Sequence, residues 1–360
     1  KAAELAALIG SQTALSNRNL VINGAMQVAQ RGTSSTTLTT YATVDRFLNA
    51  LSGTTDQLAG TQAQSTTAPD GFSNSYKIDC TTAETSVDSG EFWRVRHYIE
   101  AQNLQHLNYG TSAAKSVTLS FYVKSNVTGT YACNIYQPDG VRQITKTYTI
   151  SSADTWEYKT ITFPGDTSGT INNDNGSGLE ISWFLMAASN LTGTDSTSWG
   201  AYADGGLANG HAVNMASSTS NEWLITGVQL ELGEQATPFE HRSFGDELRR
   251  CRRYTQVFLG DQNYSQVGVT GIAYSTTNLD VPVPLIPAMR SVPAIGASGT
   301  VQASNAGSGF TLTGLSIITA QSSTDVASLR GTTSGMTAAT PHRMESGNNT
   351  TARVTLDAEL

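Results

Sequence analysis

The stretch that decides the fold is SVTLSFYVKS, residues 116–125, because its side chains alternate between apolar and polar with a period of two. This alternation is typical of a β-strand that buries one face and exposes the other. The apolar set is Val117, Leu119, Phe121 and Val123, and it alternates with Thr118, Ser120, Tyr122 and Lys124. The stretch therefore predicts a strand whose apolar face packs on a core.

Comparable runs on either side predict that this strand belongs to a β-sandwich. TYACNIY, residues 130–136, leads through Pro138, Asp139 and Gly140, a strong hairpin signal, into VRQITKTYTI, residues 141–150. Further runs are WEYKTITF at 156–163, LEISWFLM at 179–186 and EWLITGVQLELG at 222–233. This number of short strands favours a jelly roll over a smaller immunoglobulin-like domain.

The changes of period divide the chain into four parts. The opening KAAELAALIGSQ consists of strong helix formers, but about ten residues are too few to form a stable isolated helix, so residues 1–17 predict either the end of a coiled-coil stalk or a docked terminal helix. Residues 18–240 are the predicted jelly-roll domain. The helical pattern of HRSFGDELRRCRRY predicts a linker helix at 241–256, and short strands over 257–360 predict a smaller C-terminal β-sandwich.

One stretch of the C-terminal part is unusually rich in proline. VPVPLIPAMRSVP, residues 281–293, contains four prolines, each without a backbone N–H donor. We expect this stretch to be extended or to lie at the edge of a sheet rather than to form a central strand.

The charge balance and the lengths of the apolar runs argue against nucleic acid and membrane as partners. Only 14% of the 360 residues are charged and the formal net charge is −8, so no broad basic face is expected for nucleic acid. The one basic cluster, LRRCRRY at 248–254, favours ion pairs on a helix surface. No apolar run approaches the roughly 20 residues that span a bilayer, so membrane insertion is not expected either. Three widely separated cysteines predict free thiols: Cys80, Cys133 and Cys251.

Several motifs, in this order and spacing, resemble tail-fibre proteins of tailed bacteriophages over nearly the whole chain. They are NLVINGAMQVAQRGTS at 19–34, VDRF at 44–47, IEAQNLQHLNYGTSAAKSVTLSFYVKS at 99–125, ITGVQLELGEQATPFEHRSFGDELRRCRRY at 225–254, and the terminal DAEL. Many relatives have tryptophan in place of Phe47 and an aromatic residue in place of Thr255, which puts details of packing in doubt.

The resemblance implies a domain like the jelly roll of carbohydrate-binding modules, carried by a homotrimer in the virion. It also implies partners: other phage tail proteins on the N-terminal side and a host surface polysaccharide. In such proteins the 19–34 segment leads from the stalk into the jelly roll. Val21, Ile22, Met26 and Val28 would then pack under the sandwich, although a plain first edge strand fits the same residues.

The sequence gives little sign of catalysis, of a cofactor or of a metal site. Its five histidines lack metal-ligand spacing, and no persuasive nucleophile elbow is present. Carboxylate pairs for glycoside hydrolysis are set by distance in space, so Asp154 with Glu157 and Asp195 with Asp204 stay as candidates. The chain is expected not to be an enzyme.

The best candidate site for a sugar is the polar loop GTDSTSWGAYADGGLANGH, residues 193–211. A pyranose presents an apolar C–H face and a rim of hydroxyls, which require exposed rings flanked by hydrogen-bonding groups. The candidate carbohydrate-binding residues are Trp199, Tyr202, Asp204, Asn209 and His211. The other four tryptophans lie within or beside strands and are expected in the core: Trp93, Trp156, Trp183 and Trp223.

These observations predict a phage virion structural protein, a tail fibre or receptor-binding protein that adheres to host cell-surface glycan. Two alternatives stay open: a tail depolymerase that cleaves host polysaccharide, and a head fibre or capsid decoration protein.

Overall fold

The computed structural model describes residues 17–52, 58–260 and 262–360. The N-terminal helix expected at 1–17 lies, apart from its last residue, outside the described residues. The chain divides into two compact units, 1–244 and 245–360. The single α-helix of the described ranges, α1, spans Phe244–Arg252, within the stretch where the sequence predicts a linker helix.

The first unit is built from two antiparallel sheets. The first sheet has six strands in the order β1-β3-β4-β12-β6-β9, and the second has six in the order β11-β8-β7-β10-β5-β2. In chain order the strands are β1 Ser34–Ser35, β2 Phe47–Ser52, β3 Ala59–Ser65, β4 Ser75–Thr82, β5 Phe92–Glu100, β6 Val117–Ser125, β7 Gly129–Gln137, β8 Arg142–Ile150, β9 Glu157–Phe163, β10 Ser177–Ala187, β11 Gly200–Ala201 and β12 Glu222–Leu232. Short 3-10 helices span Ala101–Leu107, Ser189–Leu191, Asp204–Gly206 and Met215–Ser217.

The two sheets pack face to face over one apolar core. Phe121 of the first sheet meets Trp183 of the second with ring centroids 6.0 Å apart. Trp93, Trp183 and Trp223 are all fully buried, whereas Trp156 is half-buried. The strand pattern of 116–125 holds, since its apolar set, Val117, Leu119, Phe121 and Val123, belongs to this core. The mainly β fold class, with a jelly-roll sandwich followed by a smaller sandwich, is therefore confirmed.

The segment 19–34 packs into the sandwich mainly as turns rather than as a strand. Val21, Met26 and Val28 are buried in the core, while Ile22 is half-buried. The Asn23 side chain is fully buried, where its amide donates to the carbonyls of Val28 and Asp45, and its oxygen accepts from the Val28 N–H. The Asn23 side chain thus makes hydrogen bonds to the backbone that a neighbouring strand would otherwise make. The segment is therefore neither exposed nor a plain edge strand.

Two segments from opposite ends of the described part of the first unit are bound to each other through a terminal clamp, formed by Asn19, Leu20, Leu230, Glu240 and Arg242. The Asn19 N–H donates to the Glu240 carboxylate at 2.9 Å, and the Leu20 N–H donates to the Leu230 carbonyl at 2.9 Å. Arg242 pairs with Glu240 at 3.0 Å and also donates to the Asn19 carbonyl. The first described residues of the unit and its last residues therefore lie side by side.

The second unit is a smaller sandwich. A three-stranded sheet has the order β13-β22-β16, and a seven-stranded sheet has the order β18-β17-β21-β14-β15-β20-β19. The strands are β13 Thr255–Phe258, β14 Gln266–Ala273, β15 Asn278–Pro284, β16 Ala294–Ser298, β17 Gln302–Asn305, β18 Ser308–Thr311, β19 Gly314–Ile317, β20 Val326–Thr332, β21 Pro341–Glu345 and β22 Arg353–Asp357, with a short 3-10 helix at Thr319–Gln321. Apolar residues of both sheets share a core that includes Val281, Leu329, Met344, Val354 and Leu356.

The proline-rich stretch departs from expectation. Its first residues belong to β15, which lies inside the seven-stranded sheet between β14 and β20, so the prediction that this stretch does not form a central strand is wrong there. The register explains how a central position is tolerated. Pairing with β20 continues to Pro284, whereas pairing with β14 ends at Asp280, before Pro282. The missing N–H donors therefore fall where the ladder with β14 has already stopped.

Three further expectations can be compared with the structure. All three cysteines are free and buried. Within the basic cluster, Arg250 pairs with Asp246 one helical turn away at 3.2 Å, which is the surface ion pair expected there. Among the described residues no helix is both long and apolar enough to cross a bilayer.

Candidate functional site

The outer face of the second sheet carries a cluster that we name the tyrosine–arginine face, defined by Arg94, Arg96, Tyr98, Tyr136 and Glu180. Glu180 of β10 lies directly opposite Tyr98 of β5 on one side and Tyr136 of β7 on the other. These three side chains therefore form a row across three neighbouring strands. A second row runs parallel to it, since Arg96 lies opposite Ser182 on β10.

The alternation along β5 and β10 explains why these residues face outward. In FWRVRHYIE, residues 92–100, Trp93, Val95 and Ile99 belong to the core, and His97 is fully buried on the same side. On β10, Ile181 and Trp183 likewise belong to the core. Successive residues of a strand point to opposite faces, so the arginines, Tyr98 and Glu180 are directed away from the core.

A buried ion-pair network holds the centre of the face. Arg94 and Arg96 contact the Glu180 carboxylate at 3.2 Å and 2.8 Å, and Ser182 Oγ donates to it at 2.9 Å. Glu180 is 3% exposed and Arg94 is 7% exposed. Burial by itself raises the pKa of Glu180, but Arg94 and Arg96 outweigh it, and the pKa lies below its usual value. Glu180 is therefore a carboxylate at neutral pH, and its position is fixed.

Aromatic rings pack against the arginines of this network. The Arg96 guanidinium lies 5.0 Å from the centre of the Tyr98 ring, and that of Arg94 lies 4.5 Å from the centre of the Phe92 ring and 5.5 Å from that of Phe184. Burial lowers the pKa of Arg94 to about 10, and Glu180 opposes this effect, so the residue stays charged at neutral pH. These stacked cations fix the tilt of the rings.

The loop after β10 covers one side of the face. The Thr145 N–H donates to the Ser196 carbonyl at 2.7 Å, and the Thr145 hydroxyl donates to the Gly206 carbonyl at 2.9 Å. Docked in this way on β8, the loop holds Tyr202 beside the face, with its ring 5.2 Å from that of Tyr136 in an edge-to-face arrangement. Tyr202 is 38% exposed, so the loop forms a wall with an accessible ring.

The tyrosine hydroxyls of the site stay protonated. Burial, followed by the hydrogen bond to Asp204, raises the pKa of Tyr202 to about 12. Burial and the nearby Glu180 carboxylate raise the pKa values of Tyr98 and Tyr136 as well. Each ring can therefore offer a neutral hydroxyl that donates and accepts hydrogen bonds.

The structure places the five predicted carbohydrate-binding residues in two different environments. Tyr202 and Asp204 lie beside the tyrosine–arginine face, and the Tyr202 hydroxyl donates to the Asp204 carboxylate at 2.7 Å. Trp199 is half-buried: its indole N–H donates to the Pro164 carbonyl at 2.6 Å, and its ring contacts Tyr109 edge-to-face at 5.8 Å. Trp199 is thus held by packing.

The remaining two residues are also held within the fold. Asn209 is half-buried in the loop. His211 is only 7% exposed, and its Nδ1 accepts a hydrogen bond from the Ala132 N–H at 3.1 Å. Burial lowers the pKa of His211 to about 4, so the ring is neutral. His211 therefore supports β7 from beneath the loop rather than presenting its ring at the surface.

One carboxylate of each candidate pair is held by hydrogen bonds in a local turn. The Glu157 carboxylate accepts from the backbone N–H groups of Ser151 and Ser152, each at 2.8 Å, and pairs with Lys159. The Asp195 carboxylate accepts from the N–H and the hydroxyl of Thr197. In the part of the chain that the structure describes, no group of three His, Cys, Asp or Glu side chains is placed to hold a metal ion.

The sequence reasoning missed the five residues that define the face. Their signal was present, because charged or hydroxyl-bearing residues alternate with core residues in FWRVRHYIE and in LEIS. What single strands do not show is the register. Only the pairing of β5, β10 and β7 brings Tyr98, Glu180 and Tyr136 into one row.

The fold defines a mainly β protein whose first unit is a jelly-roll sandwich. No family model matches the chain, and no curated protein matches it. Among solved structures it is similar to the enzymatically active domain of tailspike protein 4 of bacteriophage CBA120, with 14% identity, 60% of this chain and 21% of that chain covered, and a TM-score of 0.33.

Two further similar structures have names that refer to sugars. One is the family 11 carbohydrate-binding module of Clostridium thermocellum in complex with a β-1,3-1,4-mixed-linked tetrasaccharide, with 14% identity, 57% of this chain and 99% of that chain covered, and a TM-score of 0.29. The other is a putative sugar binding protein of Bacteroides thetaiotaomicron, with 13% identity, 59% and 99% covered, and a TM-score of 0.33. With TM-scores below 0.5, the function of this chain rests on its own residues.

Proposed function

We propose that this chain is a structural protein of a bacteriophage virion, a tail fibre that adheres to a host surface glycan through the tyrosine–arginine face. The observation that carries the glycan part is the row of Tyr98, Glu180 and Tyr136, with Tyr202 beside it on the loop wall. The tail-fibre part rests on the sequence motifs at 19–34, 99–125 and 225–254.

The chemistry of the face suits a pyranose. Three tyrosine rings offer apolar surface for the C–H face of a sugar, and their protonated hydroxyls offer hydrogen bonds at its rim. Tyr136 and Tyr202 stand edge-to-face at 5.2 Å, so a sugar ring that stacks on one ring meets the edge of the other. A row along three strands also gives an extended platform, which suits a chain of sugars better than a single compact metabolite.

The ion-pair network gives this platform its rigidity. Arg94, Arg96 and Glu180 fix one another's positions before any ligand arrives, and Arg96 orients the Tyr98 ring. A preorganised site loses less side-chain freedom on binding, and more of the contact energy appears as affinity. The face is therefore built for recognition, and we propose no catalytic residue in it.

The resemblance adds a homotrimer that is joined to other tail proteins on its N-terminal side. Weak binding at each face would be sufficient in such an assembly. Several copies on one particle raise the effective concentration of the second and third binding events, so that overall avidity can exceed a single affinity by about 10²–10⁴.

A binding experiment tests the adhesive role. Purified lipopolysaccharides and capsular polysaccharides of a bacterial panel are immobilised, and the full chain is passed over them. We expect saturable binding to at least one polymer, reduced at least tenfold in Tyr136→Ala and in Tyr202→Ala. Tyr274→Ala is the matched control, because Tyr274 is a 71% exposed tyrosine of the second unit. Binding to none of the polymers, or equal loss in all three variants, contradicts the proposal.

Two further measurements separate the alternatives. Incubation with the bound polymer, followed by a reducing-end assay, is expected to show no release; release that depends on Asp195 or Asp204 would make the chain a depolymerase. Gold-labelled antibody on purified phage particles is expected to mark the tail. Label on the capsid would instead indicate a head fibre or a decoration protein.

A further inference from the structure

The opposite side of the sandwich carries a pocket of a different kind. It lies on the outer face of the first sheet and has a volume of about 460 Å³, within the range of sites for small ligands. Its floor includes Ser120 and Gly227, from β6 and β12. Its walls come from the loop around Asp70 and from the segment 236–241. We name it the first-sheet pocket.

Aromatic rings line this pocket as one continuous run. The centroid distances between successive rings are 4.9 Å for His241 and Phe239, 5.0 Å for Phe239 and Phe72, 5.6 Å for Phe72 and Tyr122, and 4.9 Å for Tyr122 and Tyr158. Tyr158 ends the run and is 47% exposed. An apolar strip of this length that stays open to water is a ready surface for stacking.

A backbone irregularity makes room for the run. Pairing between β12 and β6 shifts register between Thr226 and Gln229, and Gly227 in the bulge has φ +62°. A Cβ atom at this position would lie 2.7 Å from the Phe72 ring and 3.1 Å from the Tyr122 ring. Glycine is therefore required both by the backbone and by the ring that rests on it, which is consistent with a shaped site.

Five polar side chains of the pocket make no hydrogen bond to any described residue. They are Asp70, Ser120, Tyr122, Tyr158 and His241. Together they supply a carboxylate acceptor, three hydroxyls and an imidazole around the aromatic strip. Their combination with the rings matches a ligand that is apolar on one face and hydroxylated at its edge.

The geometry points to a second carbohydrate site in the first-sheet pocket, one that takes a single neutral pyranose residue stacked on Tyr122 and Tyr158. For its biological use this site rests on the proposed glycan adhesion, but its residues are separate from the tyrosine–arginine face. Since the two sites lie on opposite sheets, one chain would hold two sugar segments on opposite sides of the sandwich.

A quaternary ammonium is the main competitor for an aromatic site. Such a cation is bound over ring faces, with a carboxylate nearby to balance its charge. Here the rings follow one another in a line, with tilted and edge-to-face contacts, and four of the five free polar groups are not anions. Those groups would be left unused by a cation, whereas the hydroxyls of a pyranose can reach them.

Saturation-transfer NMR on the full chain tests the pocket. The probes are the methyl glycosides of glucose, galactose and N-acetylglucosamine, and choline is the competing probe. The background variant carries Tyr136→Ala and Tyr202→Ala, so that the tyrosine–arginine face is removed. We expect ring C–H signals of at least one glycoside in this background, and at least a fivefold loss of signal on adding Tyr158→Ala.

A second variant and a control complete the test. Gly227→Ala places a methyl group against Phe72 and is expected to abolish the signal as well, while Tyr274→Ala is expected to leave it unchanged. Absence of transfer from every glycoside, transfer that persists in Tyr158→Ala, or Tyr158-dependent transfer from choline alone would each overturn the proposal. Unchanged polysaccharide binding in Tyr136→Ala, with the pocket signal intact, would count against the tyrosine–arginine face alone, so the two proposals fail separately.

Discussion

The hydroxyl of Tyr202 donates a hydrogen bond to the carboxylate of Asp204 at 2.7 Å, and this bond fixes an exposed ring beside the ring of Tyr136. It joins two residues of one loop, and it orients the wall of the tyrosine–arginine face. The bond therefore ties the conformation of the loop to the shape of the site.

The first prediction concerns this bond. Asp204→Ala should weaken binding of the recognised polysaccharide about two- to tenfold, which is what the loss of one hydrogen bond of about 0.5–1.5 kcal/mol corresponds to. Tyr202→Phe should weaken binding at least as much, because it removes the same bond and a hydroxyl available to the sugar, and the double variant should be no weaker than Tyr202→Phe alone. Titration calorimetry measures this, and additive losses would contradict the interpretation.

The second prediction concerns the buried ion pairs. Glu180→Gln leaves Arg94 and Arg96 without their carboxylate, and it should lower the free energy of unfolding of the first unit by about 3–5 kcal/mol. All five tryptophans lie in that unit, so tryptophan fluorescence in a urea titration reports on it.

Asp79→Asn is the matched control for Glu180→Gln. Asp79 pairs with Lys77 at 2.9 Å, but both side chains are about one third exposed. Its loss should cost less than about 1 kcal/mol. Equal losses of unfolding free energy in the two variants would show that the buried ion pairs of Glu180 stabilise the fold no more than an exposed ion pair does.

The third prediction separates packing from contact in the loop. Trp199→Ala should lower the free energy of unfolding by about 2 kcal/mol, roughly half the cost of removing a fully buried tryptophan. It should leave glycan affinity within about threefold. Tyr202→Ala should lower glycan affinity at least tenfold but change the free energy of unfolding little, because its ring is exposed. Binding that is lost in Trp199→Ala at an unchanged unfolding midpoint would return Trp199 to the site.

The fourth prediction concerns pH. The pKa of His211 is lowered by burial to about 4, against about 6.5 when unfolded. Between these values the unfolded chain binds the proton and the folded chain does not, so stability is complete above about pH 6.5 and falls as the pH decreases toward 4. Buried His97, whose pKa is also lowered, acts in the same direction.

His211→Gln should make this pH dependence shallower while keeping a hydrogen-bond acceptor near the Ala132 N–H. Urea midpoints at pH 7, 6, 5 and 4.5 measure it for the parent chain and the variant. Parallel curves for the two proteins would show that His211 does not titrate as its burial implies.

Six strands of the first unit, β6 to β10 and β12, were predictable because each has its own alternation or a turn signal at its end, whereas β2 to β5 were not identified from the sequence. The position of β15 was not, because proline composition does not show on which side of a strand the missing donors fall. The loop 193–211 stands out in the sequence as polar and aromatic, yet only the structure shows that His211 and Trp199 are packed while Tyr202 is accessible. The tyrosine–arginine face and the first-sheet pocket depend on register and on a bulge, which no single segment encodes.

The terminal clamp has a mechanical consequence. A pull applied at Asn19 and at Arg242 acts first on the few bonds among Asn19, Leu20, Leu230 and Glu240, because these bonds join the two segments directly. The force is then carried by these few bonds and not by the strands inside the sandwich. The two proposed glycan-binding surfaces would then keep their shape while the bonds of the clamp carry the load.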